Sequence, residues 1–426
     1  MDDDRLFQDC GGSLSNMILC DELIYGGYRR PFHIEPPDLT SHSFVCGGTG
    51  SGKSTLTVNL LSEICDGGGG FAFLDPHGTS AGALLDLIPR RRTRDVIFFQ
   101  PSDLAHPIGL NVLADVPPDS RYLVASSVVE AFRNQYRDSW GPRLDWYLYN
   151  CVRTLLEVEG STLLWIPRLL VDRSWRRSIT AHLPPQLASF WNDEFDKKDQ
   201  RLREEAISPI QNKVGRIVAS PPLALTLGQR RSAFELLDVM NGQKMLVADL
   251  SGIGAAEADI LGSLLVTLFS VEATKRASPT PFILALDEAH RFSTASMGSI
   301  LSEGRKFGLG LFLVCQYLEQ WSKEELSAIL GNCATSITYR LSGQDAKIME
   351  EHLGRVWPRD VLSDLPRHTA IVRSVQNGVA TEPFRAIMRP PKPRRGRRST
   401  LLRVSKERYG KRRDVIEQAI LRELDE

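Results

Sequence analysis

Residues 46–55 read Cys-Gly-Gly-Thr-Gly-Ser-Gly-Lys-Ser-Thr. The spacing Gly47-x4-Gly52-Lys53-Ser54 is that of a loop which grips a polyphosphate. Gly47, Gly48, Gly50 and Gly52 let backbone N–H groups turn inward on phosphate oxygens without a Cβ in the way. Lys53 supplies a compact cation for the β- and γ-phosphates, and the Ser54 hydroxyl takes one coordination position of a Mg²⁺ ion. Thr49, Ser51 and Thr55 complete the nucleotide-contacting set. The apolar pair Phe44-Val45 before the loop predicts a strand, and TLTVNLLSEI after it predicts a helix whose positive end faces the same anion.

A second constellation answers the first. Phe282-Ile-Leu-Ala-Leu runs into Asp287-Glu288, which describes a buried strand delivering two carboxylates to its C-terminal edge, where such sheets bind ligands. Asp287 would hold the metal through water, and Glu288 would orient and deprotonate the attacking water. The next apolar run, Leu311-Phe-Leu-Val, ends in Cys315-Gln316 and places an amide beside the acids as a sensor of the γ-phosphate or of the lytic water. Arg305, in Gly-Arg-Lys-Phe-Gly, and Arg340, just after 336–339, are candidates to stabilise transition-state charge. Asp75 and His77, in Phe-Leu-Asp-Pro-His-Gly, either reach the site from another strand edge or belong to a turn marked by Pro76 and Gly78. His77 has no companions at ligand spacing, which argues against a catalytic zinc.

These residues need a scaffold. Short β-branched or aromatic runs at 43–46, 71–74, 96–99, 244–250, 282–286, 310–315, 334–341 and 369–375 alternate with helical patterns, predicting a mainly parallel sheet covered by helices. Residues 1–41 read as a short β-rich lead-in with a hairpin (17–24 and 28–34 around Gly26-Gly27). The core occupies 42–116 and 241–389. Between its halves, 117–240 has helical periodicity, as in Leu144, Tyr147, Leu148, Cys151, Val152 and Leu155, and predicts an all-helical insertion domain. Residues 390–426 form a basic tail ending in a short amphipathic helix, read either as a flexible solvated segment or as a contact for DNA backbone or a partner.

Composition narrows the function classes. The 52 basic and 52 acidic residues cancel, so affinity for a polyanion must come from local patches rather than a global field. Candidates are Arg90-Arg91-Arg92, Arg94, Arg173 and Arg176-Arg177. Seven cysteines without a CxxC pair point to a reducing compartment rather than a disulfide framework. The acidic opening MDDDRLFQDC is unlike a signal peptide. No apolar run nears the roughly 20 residues that cross a bilayer, and the expected location is the cytoplasm.

Together GGTGSGKST, FLDPHG, FILALDEAHRF, EGRKFGLGLFLVCQ and NCATSITYRLSGQDAKIMEEHLG resemble the HerA/FtsK superfamily of P-loop motor ATPases. Within it they are most similar to the HerA-like and conjugative coupling-protein (TraG/TraD-type) branch, over roughly 28–384. The resemblance implies a RecA-like core, ATP and Mg²⁺, and a ring, usually a hexamer, that threads double-stranded DNA. It implies Lys53 and Ser54 as nucleotide ligands, Asp287 and Glu288 as the metal and catalytic pair, Gln316 as sensor and Arg305 acting in trans. It also supplies a precedent for the helical insertion. Two features depart from the branch: membrane-bound coupling proteins carry an N-terminal anchor, and nuclease-partnered HerA proteins a fuller N-terminal barrel.

The expected function is therefore an ATP-hydrolysing DNA translocase of conjugation, repair or defence, partnered by a nuclease, relaxase or defence effector. A secretion or assembly ATPase with protein cargo is the alternative. A non-motor, nucleotide-dependent assembly scaffold is a third reading, against which the dedicated base Glu288 counts.

Overall fold

The computed structural model describes residues 17–277, 279–376 and 378–425. The acidic residues 1–10, whose charge argues against a signal peptide, lie outside them. Its strands are β1 (Met17–Leu23), β2 (Arg29–Ile34), β3 (Ser43–Cys46), β4 (Gly70–Asp75), β5 (Val96–Phe99), β6 (Met245–Asp249), β7 (Phe282–Leu286), β8 (Leu309–Cys315), β9 (Thr335–Thr338), β10 (Thr369–Arg373), β11 (Val375–Gln376), β12 (Val379–Ala380) and β13 (Phe384–Ile387). All but β11 and β12 join one sheet, in the order β2-β1-β13-β10-β9-β3-β8-β7-β4-β6-β5.

From β9 to β5 every neighbouring pair is parallel. The remaining strands, from β10 outward, are antiparallel. This is the RecA-like P-loop arrangement, with all the C-terminal strand ends of the parallel part opening on one edge. The N-terminal hairpin is no separate lead-in, because β1 pairs with β13 and so extends the main sheet. Phe-Arg-Ala-Ile gives too short and too mixed a pattern to announce β13 from sequence.

Alternation along each strand divides the core into two faces. In β3, Phe44 and Cys46 point into one buried cluster and Val45 into the other. The second cluster holds the helix Lys53–Asp66 and the helix Thr79–Leu85 against the sheet. The first runs without a break from Leu246 and Leu284 on the sheet into Phe132, Tyr147 and Trp191 of the helical stretch between Arg121 and Leu227. Those helices thus share a hydrophobic core with the sheet, chiefly where Arg121–Gln135 meets Ala255–Ala273.

Two expectations about cations change. Arg92 and Arg176 are buried and do not belong to any DNA-facing patch. Arg92 is spent on Asp95 at 2.6 Å and on the Gly69 carbonyl at 3.1 Å, and Arg176 on Asp196 at 2.7 Å and the Leu169 carbonyl at 3.0 Å. A buried guanidinium must be satisfied in this way. The basic tail, too, is not a loose solvated segment. Its helix Arg398–Tyr409 buries Leu401 completely, and the Ser405 hydroxyl accepts the Phe98 N–H of edge strand β5 at 2.8 Å. The tail thereby covers a sheet edge that would otherwise be open to pairing.

Among the described residues no helix is long and apolar enough to cross a membrane. The six described cysteines are buried free thiols, and burial pushes Cys65 up to about 11 and Cys20 up to about 12.

Candidate nucleotide site

Parallel register assembles the site. Cys46 of β3 lies opposite Cys315 of β8 on one side and Thr338 of β9 on the other. The next residues along these strands, Gly47, Gln316 and Tyr339, therefore emerge side by side. A Cβ at Gly47 would stand 2.4 Å from the Tyr339 Cβ, so only glycine lets the phosphate loop turn beside β9. Gly52, at φ 114°, makes the left-handed step into the helix Lys53–Asp66.

Lys53 is buried, and its ammonium donates to the Gly47 carbonyl at 2.5 Å and the Gly48 carbonyl at 3.1 Å. Burial lowers its pKa, against the opposing pull of the Glu288 carboxylate. Ser54 is exposed at the helix start, Thr55 is half-buried, and the Ser51 hydroxyl is buried without a hydrogen-bond partner. A loop of glycine N–H groups, a held ammonium and an unspent buried hydroxyl fits the triphosphate expected of this motif.

The acids arrive from β7. Asp287 donates its N–H to the Leu74 carbonyl at 3.0 Å, which ties the end of β7 to β4. Its carboxyl is buried, and burial, followed by the Asp75 and Glu288 charges, pushes it up to about 6, with His77 acting against them. Glu288 sits in the left-handed region at φ 50°, ψ 49°, an uncommon and costly conformation for a non-glycine residue. That turn aims its side chain at β8. The Gln316 amide N–H donates to Glu288 Oε1, and the Thr49 hydroxyl donates to Gln316 Oε1 at 2.9 Å. His290 Nδ1 stands 3.6 Å from Glu288 Oε2. A chain of contacts thus runs from the phosphate loop through Gln316 to Glu288.

Other predicted residues fall in different places. Asp75 is wholly buried, and its two oxygens accept the N–H groups of His77 and Ala81, each at 2.8 Å. It fixes the β4 turn and bears on the site through its charge beside Asp287. Exposed His77 adds a second, weaker charge effect there. Arg340 is exposed beside the loop, its carbonyl accepting the Gly48 N–H at 3.1 Å. Arg305 is not brought to this site. It is exposed in the turn Gly304–Phe307 that precedes β8, close enough to His42, just before β3, for its charge to help hold that imidazole down at about 4, after burial. Both mark the N-terminal edge of the sheet, the length of β8, or roughly 20 Å, from the phosphate loop.

Three residues near the site escaped sequence reading. Asp249 ends β6 in register with Asp75 and accepts Ser251 Oγ at 2.6 Å and Gln100 Nε2 at 3.1 Å. An apolar run closing on Asp, as at Asp75, was its available signal. His290 lies two residues past Glu288 in FILALDEAHRF, where its type and spacing alone carry no chemical signal. His368, at φ 61°, donates its N–H to the Ser51 carbonyl at 3.3 Å, and nothing in its local sequence marks it. Among the described residues no group of three or more His, Cys, Asp or Glu side chains is disposed to hold a metal.

Solved structures share this architecture. The bacterial conjugative coupling protein TrwBΔN70 superposes with a TM-score of 0.64 at 16% identity, over 88% of this chain and 90% of that one. Its complex with ADP and Mg²⁺ superposes at 0.62 and 16%, over 85% and 88%. VirB4 of Thermoanaerobacter pseudethanolicus gives 0.57 at 13%, over 90% and 97%. At such identities the likeness is one of fold. No curated protein sequence matches the chain. The profile described as "Helicase HerA, central domain" matches residues 24–269. That span is more than half of the chain, and it holds the phosphate loop, β4 and β6, so the chain belongs to the HerA helicase family.

Proposed function

We propose that this protein is a Mg²⁺-dependent ATPase that works as a hexameric ring, translocating double-stranded DNA. The observation that carries hydrolysis, as opposed to binding alone, is the Thr49–Gln316–Glu288 chain. It couples the phosphate loop to a carboxylate held in a strained turn at the edge of the adjoining parallel strands. Glu288 accepts the proton of the attacking water, and Gln316, held between Thr49 and Glu288, reports on the occupant of the loop. Lys53 neutralises charge gathering on the terminal phosphate, and Ser54 with Asp287 would hold the Mg²⁺, which supplies further charge neutralisation. The DNA reading rests on membership of a helicase family. The similar coupling-protein structures were solved with ATP and GTP analogues and with ADP and Mg²⁺, and those ligands support ATP and Mg²⁺ here. In this reading the ring works in the cytoplasm, with a nuclease, relaxase or defence effector as its partner in conjugation, repair or defence.

Turnover should rise on adding duplex DNA and the stimulation should weaken steeply with salt, because a motor tracking phosphates displaces counterions. Steady-state ATPase assays across a salt series check this. Turnover indifferent to DNA but raised by a protein substrate would favour the secretion alternative, and nucleotide-dependent ring formation without multiple turnovers would favour the scaffold.

The position of Arg305 supports a role on a neighbouring subunit's nucleotide, since its own lies at the other sheet edge. Arg305→Ala should abolish turnover while ATP still binds. Mixing inactive Arg305→Ala subunits with inactive Glu288→Gln subunits should restore part of the activity, at interfaces that pair an intact arginine with an intact base. Near-normal turnover in Arg305→Ala, or no recovery on mixing, would remove Arg305 from the role.

A further inference from the structure

Residues 389–398 form a strap across a groove on the outer face of the phosphate-loop helix. On one side the strap is fastened to that helix. Asn59 Nδ2 donates to the Pro390 carbonyl at 3.0 Å, Lys392 Nζ lies 2.6 Å from Glu63, and Arg395 meets both carboxylate oxygens of Asp66 at 3.0 Å. On the other side it is fastened to Asp86, at the end of the helix Thr79–Leu85. The Arg395 N–H donates to the Asp86 carbonyl at 2.7 Å, and the Arg398 N–H to Asp86 Oδ1 at 3.2 Å.

Two adjoining cavities lie beneath it. One of about 240 Å³ begins at Ser54 and Thr55 and is walled by Val58, Ala83, Leu87 and Arg394. The other, of about 510 Å³, shares Thr79, Ala83 and Arg394 with the first and extends to Gln100, Asp249 and Arg398. Among the described residues Arg394 has no carboxylate ion-paired to it, whereas its neighbours Lys392 and Arg395 are committed to Glu63 and Asp66. It is exposed and lines both cavities.

We infer that this strapped groove is the nucleoside site, and that the Arg394 guanidinium is the group that stacks on the nucleobase. The inference rests on the reading of the loop as a nucleoside triphosphate site. A triphosphate seated on the loop leaves its nucleoside at the Ser54–Thr55 end, where the cavity opens. Val58, Ala83 and Leu87 offer an apolar floor to the flat face of a ring. From the roof Arg394 presents a planar, weakly hydrated cation suited to lie over a π-system. The polar far end, at Gln100 and Asp249, suits the edge of a base rather than more hydrocarbon. In this reading the C-terminal tail is a component of the nucleotide site, not a DNA contact.

Isothermal titration of the full chain with ATP and with inorganic tripolyphosphate, both with Mg²⁺, tests this. Wild-type protein should bind ATP more tightly than tripolyphosphate. Arg394→Ala should weaken ATP binding by about tenfold and leave tripolyphosphate within about twofold, a size in keeping with loss of one desolvated cation–π contact. Arg394→Lys, which keeps charge without planarity, should recover only part of the loss. Unchanged ATP affinity in Arg394→Ala overturns the inference. So does an equal loss for both ligands, which would make Arg394 a phosphate contact. Wild-type protein that binds neither ligand would overturn the nucleotide reading itself.

Discussion

Glu288→Gln should bind ATP as tightly as the unaltered protein and turn it over about 10²–10⁴ times more slowly, the usual contribution of a positioned general base. The substitution is nearly isosteric. A glutamine at 288 keeps a carbonyl oxygen to accept the Gln316 N–H and has no greater difficulty with the left-handed backbone at φ 50°. What it removes is the basic site. The amide does not take a proton at neutral pH, and the charge that Lys53 feels from the acidic side is reduced. Glu288→Ala should be worse behaved, because it also releases Gln316 from one of its two partners. The comparison separates base from bracket: single-turnover rates fall in both, whereas only Glu288→Ala loosens the hold of Gln316 on Thr49. Near-normal turnover in Glu288→Gln would assign proton abstraction elsewhere and reopen the scaffold reading. Loss of ATP binding would make Glu288 a ligand instead of a base.

The parts of the site legible in sequence were those in which local chemistry and local geometry coincide. A glycine-rich turn between a strand and a helix has few alternatives, and an apolar run that ends in Asp287-Glu288 places its acids at a strand end by simple alternation. Gln316 was legible for the same reason, one residue past the end of β8. Charge placement was less so. Arg92 and Arg176 look identical to solvated arginines in the sequence, and only tertiary packing shows that each is sealed against a carboxylate and backbone carbonyls. The tail misled similarly: its density of cations suggested solvation, yet Leu401 and Ser405, two residues of unremarkable type, dock it on edge strand β5. The N-terminal hairpin was visible but its destination was not, since the partner that joins it to the sheet, β13, lies more than 350 residues away in register pairs such as Asp21 with Ile387. Long-range pairing of that kind leaves no local trace. Asp75 shows the converse. Its position was legible, but its hydrogen bonds to the N–H groups of His77 and Ala81 assign it to holding the turn and pressing on Asp287.

Asp287→Asn should make the protein more stable at pH 8 while destroying its turnover. The carboxyl of Asp287 is shifted from an ordinary 3.8 up to about 6 by burial, by Asp75 and by Glu288. At 1.36 kcal/mol per pKa unit, its ionised form is disfavoured in the folded chain by about 3 kcal/mol, an upper figure because local relaxation and water soften it. The sign follows from proton uptake. Between the two pKa values the folded state holds a proton that the unfolded state has released, so this group's contribution to stability falls as pH rises through that window and levels off above about 6. Asparagine keeps an oxygen to accept the Glu288 N–H, which Asp287 Oδ1 accepts at 3.2 Å, and carries no charge. The variant's advantage should therefore be largest at pH 8, shrink below about pH 6, and vanish near pH 3–4, where the aspartate is protonated in both states. Urea midpoints measured across that range with a chelator present, so that no divalent cation is bound, give the comparison. An advantage that does not vary with pH, or an asparagine variant less stable at pH 8, would show that the cost lies elsewhere than in the charge. The crowding of carboxylates that costs the free protein stability would also favour a divalent cation at this strand edge. Stability and activity should therefore move in opposite directions on neutralising this one residue.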